Sequence, residues 1–326
     1  MNPSTQNDID PFITVIITAY KRKDFLLQAI DSVLKQTLNR NKFEIVVVKN
    51  YTDDIIDNML LLNHIKCLLV EECNIGYMLS KAIQLANGSI VCFLDDDDRF
   101  EENKLQTIYD LFYNNKEVVY YWNKFTTEPT FIKEKIDNEQ ILFYKGYNSV
   151  LGLGNSIRYN MSSISIRKDN IDAMGLQILN HIESGQDLTL FFLSLKTGGT
   201  FAIDNKKLTF YRIHTQSAMH SLKGNDFTRQ YRSLNTIENY IVDKPIKNEI
   251  SKVRIRLQLN SLIFGMHFNQ NEIFSLLIDY TKTGIKSRLD IFTILALLLE
   301  TLNINITNKI LKKITISTSR RRINAI

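Results

Sequence analysis

Four prolines in 326 residues leave little room for long linkers, and the twelve glycines form neither Gly-x-Gly-x-x-Gly nor Gly-x-x-x-x-Gly-Lys. The first scarcity points to packed domains. The second excludes a typical dinucleotide fold and a P-loop protein. Three cysteines, Cys67, Cys73 and Cys92, are odd in number and lack metal-ligand spacing, which points to a reducing compartment. Cys67 and Cys92 sit in apolar runs and are expected in the core. No run reaches the roughly 18 apolar residues of a membrane span; the nearest, 291–299, is bounded by Asp290 and Glu300. Residues 1–11 are polar and acidic, without the basic and apolar regions of a signal peptide, and are expected to be a flexible N-terminus.

What is present is an ordinary globular composition, 44% hydrophobic and 23% charged, in a chain long enough for a large domain with an appendage or for two domains. The net charge of +5 is unevenly spread: residues 221–326 carry 17 Lys/Arg against 8 Asp/Glu, leaving the first 220 residues net acidic. Such asymmetry suits an anionic partner for the C-terminal third.

Residues 12–19 (FITVIITA) read as a buried strand, followed by helical spacing through Phe25, Leu26, Ala29, Ile30, Val33, Leu34 and Leu38, with Asp24 as expected N-cap. Strands are expected at 43–48 and 67–70, with a helix opening at Thr52-Asp53-Asp54 between them. A turn at Asn74-Ile75-Gly76 leads into a helix over 78–86, and Asn87-Gly88 closes it. A strand at 90–94, a helix over 101–113 and a strand at 118–122 follow. Strands alternating with helices predict an α/β fold with a mostly parallel central sheet flanked by helices. Residues 145–159 read as a mobile surface segment; strands are expected at 162–167, 200–203 and 207–211, a short helix from 171, and a helix start near Asp187. Beyond Ser221 the chain is mainly helical, with an apolar stripe of Ile291, Ile294, Leu295 and Leu298 and a basic tail of Lys309, Lys312, Lys313 and Arg320-Arg321-Arg322.

The strand at 90–94 runs straight into Asp95-Asp96-Asp97-Asp98. Four carboxylates at a strand's carboxyl end repel one another, and burial sharpens the conflict. A divalent cation at the mouth of an α/β sheet resolves it, since ligands bind at that edge of open sheets. A helix cap near Glu101, with Asp98 as the capping acid, is the other reading.

Taken in order, ITVIITAYKR, EIVVVKNYTDD, NIGYMLSKAIQLANGSIVCFLDDDD, ESGQDL and YRIHTQSAMH resemble the family 2 glycosyltransferases, which have the GT-A fold, over residues 12–219. The resemblance implies a nucleotide-sugar donor, with Asp95 and Asp97 as the acids of an Asp-x-Asp motif and Asp96 between them. A divalent ion, Mn²⁺ or Mg²⁺, would neutralise the departing diphosphate; oxygen ligands suit both ions. By the same resemblance Asp97 and His214 hold the metal, Asp187 is the base that takes the acceptor's proton with Glu183 as fallback, and Thr18, Tyr20, Asn50, Asp53, Lys81, Asp95 and Asp96 face the donor. Two positions depart from the family pattern. Lys49 stands where an acid usually reads the nucleobase, and a lysine has donors only, so Asn50 or Asp53 would take over. Lys81 stands where an arginine is usual and lacks its bidentate fork.

These implications describe an inverting transferase that moves a single sugar to a glycan or lipid-linked acceptor, since the Gln-x-x-Arg-Trp signature of processive synthases is absent and the only tryptophan is Trp122. The expected organisation is a flexible 1–11, a catalytic 12–220 and a helical, basic 221–326. The last region would either lie on an anionic membrane at its cytoplasmic face or pack on the catalytic domain or a second copy. A homo-oligomer stays open, and no nucleic acid is expected. The contrasting reading is a catalytically silent nucleotide- or glycan-binding module, which would have no need of Asp187.

Overall fold

The strand β1 (Ile13–Ala19) is buried along its whole length, as β-branched residues covered on both faces require. It is one element of a computed structural model that describes residues 12–71, 74–129, 140–152, 157, 159–214, 224–263 and 270–282. Residues 1–11, Cys73, Gly154, the 291–298 stripe and the basic tail from Lys309 lie outside the described residues.

β1 pairs in parallel with β2 (Phe43–Lys49) on one side and β4 (Ile90–Asp95) on the other, and β2 pairs in parallel with β3 (Lys66–Leu69). Helices α1 (Leu26–Leu34), α2 (Asp54–Leu62) and α3 (Ile75–Leu85) make the connections. Parallel pairing puts every strand's carboxyl end on one edge. There Thr18 stands level with both Val48 and Asp95, so the segments after β1, β2 and β4 emerge side by side.

The sheet then continues β4-β8-β6-β9-β5. The further elements in chain order are β5 (Arg99–Phe100), α4 (Lys104–Asn114), β6 (Val118–Glu128), β7 (Ile141–Lys145), α5 (Tyr147–Gly152), β8 (Ile164–Arg167), α6 (Ala173–Asn180), α7 (Gln186–Lys196) and β9 (Thr200–Arg212). β8 runs antiparallel to both β4 and β6, while β9 is parallel to β6 and antiparallel to β5 and β7. One face of the sheet buries Ile13, Val15 and Ile17 with Leu26, Ile30 and Val33 of α1 and Leu105, Ile108 and Phe112 of α4. Each such side chain stabilises the fold by about 1.5–3 kcal/mol on burial. α3 docks on the end of α6, where the Gly76 N–H donates to the Ile182 carbonyl at 3.2 Å and a Cβ would collide with the Leu179 and Ile182 carbonyls.

Several local expectations change. Asp24 does not cap α1; the N-cap is Phe25, without a side-chain hydrogen bond, because the helix starts a residue later. Asp98 does not cap α4, which starts only at Lys104 after β5 intervenes, and its carboxylate is buried. Asn74 is a true cap, accepting from Tyr77 N at 2.8 Å. Cys67 is exposed because β3 is an edge strand. The strands expected at 200–203 and 207–211 are one strand, since the polar Asp204-Asn205-Lys206 interruption is absorbed by a register shift against β6 at Asn123–Phe125. Part of the glycine-punctuated 145–159 segment is helical, as α5.

The chain divides into two compact units, Met1–Ser217 and Ala218–Ile326. The second contains α8 (Gly224–Tyr240), α9 (Lys244–Ile263) and α10 (Gln270–Lys282). α8 and α9 form a hairpin around Leu234, Ile237, Ile246, Ile250 and Val253, tied by Ser251 Oγ donating to Glu238 at 2.9 Å and Arg254 donating to Asn235 at 3.0 Å. Among the described residues no helix is long and apolar enough to cross a membrane.

Candidate active site

β4 delivers its acids to the carboxyl edge of the sheet, where carboxylate oxygens of Asp95, Asp97 and Asp98 come within 4.8 Å of one another. Asp95 is fixed through its backbone, whose N–H donates to Ser162 Oγ at 3.0 Å. Asp98 is held from β9, where Arg212 N donates to its Oδ1 at 2.9 Å and Arg212 Nε donates to the Asp97 carbonyl at 2.9 Å. Burial and then the repulsion of Asp97 push the Asp98 carboxyl up to about 7, and burial with its three neighbours holds Asp95 well above the carboxylate range. Asp98 Oδ2 is buried and has no hydrogen-bond partner among the described residues. Three crowded hard oxygen donors, one of them orphaned, fit a divalent cation of the Mg²⁺ or Mn²⁺ type.

Asp96 belongs to a different set. Its carboxylate is forked by Arg22, with Nε donating to Oδ2 at 3.3 Å and Nη2 in close contact with Oδ1. Burial pushes Asp96 up to about 6, against the pull of Arg22. Arg22 Nη2 also lies 2.7 Å from Asp97 Oδ2. His214, two residues past β9, brings Nε2 to 3.0 Å from the same Asp97 oxygen and 3.4 Å from Arg22 Nη1. Its ring lies 5.1 Å from that of Phe25.

Asp187 occupies the second position of α7, after a left-handed Gly185 N-cap (φ 81°). It is half-buried, and it accepts from Asn160 N at 3.2 Å and from its neighbour Leu188 N at 2.8 Å. Burial nonetheless pushes its carboxyl up to about 6. The Tyr211 hydroxyl is held above its ordinary value by burial first, and then by the charges of Asp98, Asp95, Asp97 and Asp187. A single turn, Met161–Ser163 with the left-handed Asn160 (φ 74°) as its cap, connects Asp95 and Asp187: Ser162 Oγ takes the Asp95 N–H, and Asn160 offers its N–H to Asp187. Beneath that turn the fully buried Lys104 donates to the Ser162 carbonyl and, at 2.9 Å, to Thr209 Oγ1; burial lowers its ammonium to about 7. Glu183 is exposed.

On the donor side, Thr18 is buried level with Asp95, and Tyr20 is exposed with Lys21 Nζ 4.9 Å from its ring. Lys21 takes a left-handed conformation (φ 57°) and donates its N–H to Asn50 Oδ1 at 2.7 Å. Asp53 caps α2 through Ile56 N and pairs with Lys23 at 2.8 Å. Lys81 stands over the Tyr77 ring at 5.1 Å. Lys49 is buried and turned inward, paired with Asp57 at 2.8 Å and donating to the Tyr51 carbonyl.

The chain thus brings Asp97, His214 and Arg22 into contact and links Asp187 to Asp95 through the 160–162 turn, while Asn50, Asp53 and Lys81 each have a partner within the protein. Arg22, Asp98, Asn160, Ser162 and Lys104 are the site residues that sequence reasoning misses. Arg22 has a findable signal, as a cation three residues beyond a parallel strand, on the ligand edge. Lys104 carries no local signal, because only tertiary packing buries it.

The family model described as Glycosyl transferase family 2 matches residues 14–172. An uncharacterized glycosyltransferase of Rickettsia typhi is 23% identical over 198 residues, covering 60% of this chain and 55% of its own length. The minor teichoic acid biosynthesis protein GgaA of Bacillus subtilis is 29% identical over 116 residues, 32% of this chain and 26% of GgaA. This chain therefore spans about half of the first relative and about a quarter of the second. Among solved structures, TarS 1–349 of S. aureus in complex with UDP-GlcNAc superposes with a TM-score of 0.63 at 13% identity, covering 93% of this chain and 90% of that one. The fold is that of the GT-A glycosyltransferases.

Proposed function

We propose that this chain, whose residues 14–172 belong to glycosyl transferase family 2, transfers a single sugar from a nucleotide-sugar donor to a hydroxyl of a glycan or lipid-linked glycan, with inversion. The observation that carries the reading is the meeting of Asp95, Asp97 and Asp98 within 4.8 Å, with His214 in contact with Asp97 and Asp187 tied to Asp95 through the 160–162 turn. The carboxylate trio, with His214 on Asp97, would hold a divalent ion, Mn²⁺ or Mg²⁺. When bound, such an ion supplies Lewis-acid stabilisation of the diphosphate leaving group.

The remaining chemistry belongs to the chain. Asp187, raised to about 6 by burial, is poised to be ionised near neutrality yet basic enough to accept a proton. The acceptor oxygen bonds to the anomeric carbon as the carbon–oxygen bond to the diphosphate breaks. The acceptor's proton passes to Asp187, and the bonding electrons leave with the nucleoside diphosphate. Thr18, Tyr20, Asn50 and Asp95 line the donor side. A cell-surface polysaccharide or glycoconjugate acceptor is supported by GgaA's name, and a nucleotide-sugar donor by the UDP-GlcNAc in the TarS structure. Residues 12–220 are assigned to catalysis. The basic 221–326 region is proposed to meet an anionic membrane at its cytoplasmic face.

Release of the nucleotide, as a nucleoside diphosphate from UDP-, GDP- and dTDP-sugars and as CMP from CMP-sugars, tests the proposal. Turnover should require Mn²⁺ or Mg²⁺ and vanish in Asp97→Ala. Full turnover in EDTA would sink the metal role, and no turnover with any donor and acceptor extract would sink the enzymatic one.

A further inference from the structure

Asp97 Oδ2 carries two contacts at once, His214 Nε2 at 3.0 Å and Arg22 Nη2 at 2.7 Å. It is also a carboxylate of the trio suited to a divalent ion. A divalent ion on the Asp97 carboxylate would lie close to the Arg22 guanidinium and be repelled by it, so Arg22 competes with a metal for that carboxylate.

The geometry around Arg22 allows it to leave. Its backbone is pinned, since the preceding Lys21 is left-handed and donates to Asn50 Oδ1 at 2.7 Å. Its side chain is anchored at Asp96 through Nε and Nη2. Nε, which bonds to Asp96 alone, can therefore act as the pivot while Nη2, which touches both Asp96 and Asp97, and Nη1, near His214, change partner. A guanidinium is permanently charged, and its fork matches phosphate as well as carboxylate. A diphosphate arriving at this edge offers such a partner.

We propose that Arg22 is a displaceable internal counter-ion: it neutralises Asp97 in the donor-free protein and passes to the donor's diphosphate, so that divalent-cation binding and nucleoside-diphosphate binding are coupled. The inference rests on the metal-dependent reading above. It makes Arg22 responsible for weak cation binding by the free protein and tight binding by the donor complex.

Mn²⁺ titrations followed by the electron paramagnetic resonance of the free ion test it, without turnover, in wild type, Arg22→Gln, Arg22→Lys and Asp97→Ala, each with and without UDP or GDP. Without nucleotide, Arg22→Gln should bind Mn²⁺ about tenfold more tightly than wild type. Nucleotide should tighten Mn²⁺ binding by about tenfold or more in wild type and by less than about threefold in Arg22→Gln. Arg22→Lys retains the charge, so it should keep the weak binding and lose most of the coupling, which preserves the test if the glutamine variant does not fold. Mn²⁺ binding that Asp97→Ala abolishes but Arg22→Gln leaves unchanged would overturn the counter-ion role alone. Equal, weak binding by wild type, Arg22→Gln and Asp97→Ala would overturn it together with the metal reading.

Discussion

Asp97 Oδ2 and His214 Nε2 lie 3.0 Å apart although 117 residues separate them in the chain. The pair joins the end of β4 to the end of β9, and each group fixes the orientation of the other. Asp97→Ala should lower metal-dependent donor cleavage by about a thousandfold or more, since it removes several kcal/mol of charge stabilisation. His214→Ala should cost about 10–100-fold, with most of the loss recovered at high Mn²⁺. Wild-type activity and metal requirement in His214→Ala would separate the histidine from the site.

Asp187→Asn should keep the size of the side chain at the start of α7 and one of its two accepted hydrogen bonds while removing the proposed base. Transfer is expected to fall by about 10²–10⁴-fold, with nucleotide-induced thermal shifts unchanged. Normal turnover in this variant would mean that another group takes the proton.

The pH profile should show the same residue. Asp187 is pushed up to about 6 by burial, and as the proposed base it would act deprotonated, so kcat should be level above that pH and fall as pH drops through it. Stability moves the other way. A folded-state pKa above the unfolded value makes the protonated form favour the fold, a contribution present at about pH 4 and lost as pH rises through about 6. An acid limb that persists in Asp187→Asn would assign the titration elsewhere.

Lys49→Met tests the inward-facing lysine. It removes the pair with Asp57 and the hydrogen bond to the Tyr51 carbonyl. The expected cost is about 1–3 kcal/mol, read as a lower melting temperature, with the ranking among UDP, GDP, dTDP and CMP unchanged. A reordered ranking would show that Lys49 reads the base after all.

The parallel half of the sheet is legible in the sequence because β-branched runs such as ITVIITA and FEIVVVK have no stable place except a strand buried on both faces. The acid quartet is legible as a site because like charges at a strand end need a partner. Its internal division is not. Asp98 reads locally as a helix cap, and only the β5 insertion and Arg212 reveal that it stays with the cluster. Arg22 follows a legible strand yet shows no role of its own, since local spacing says nothing of Asp96 and Asp97 on another strand. The 160–163 turn is invisible for the same reason: its hydrogen bonds go to residues 27 and 67 positions away.

The sheet order also dictates when a growing chain can acquire chemistry. β8 must enter between β4 and β6, and β9 must then line up beside β6, before the acids of β4 meet Arg212 and His214. These contacts span 114 and 117 residues, and such distant pairings are slow to form. A nascent chain that has released the four parallel strands but not β9 carries the acid quartet without its clasp. The clasp between the acids of β4 and the end of β9 therefore waits until β9 has left the ribosome.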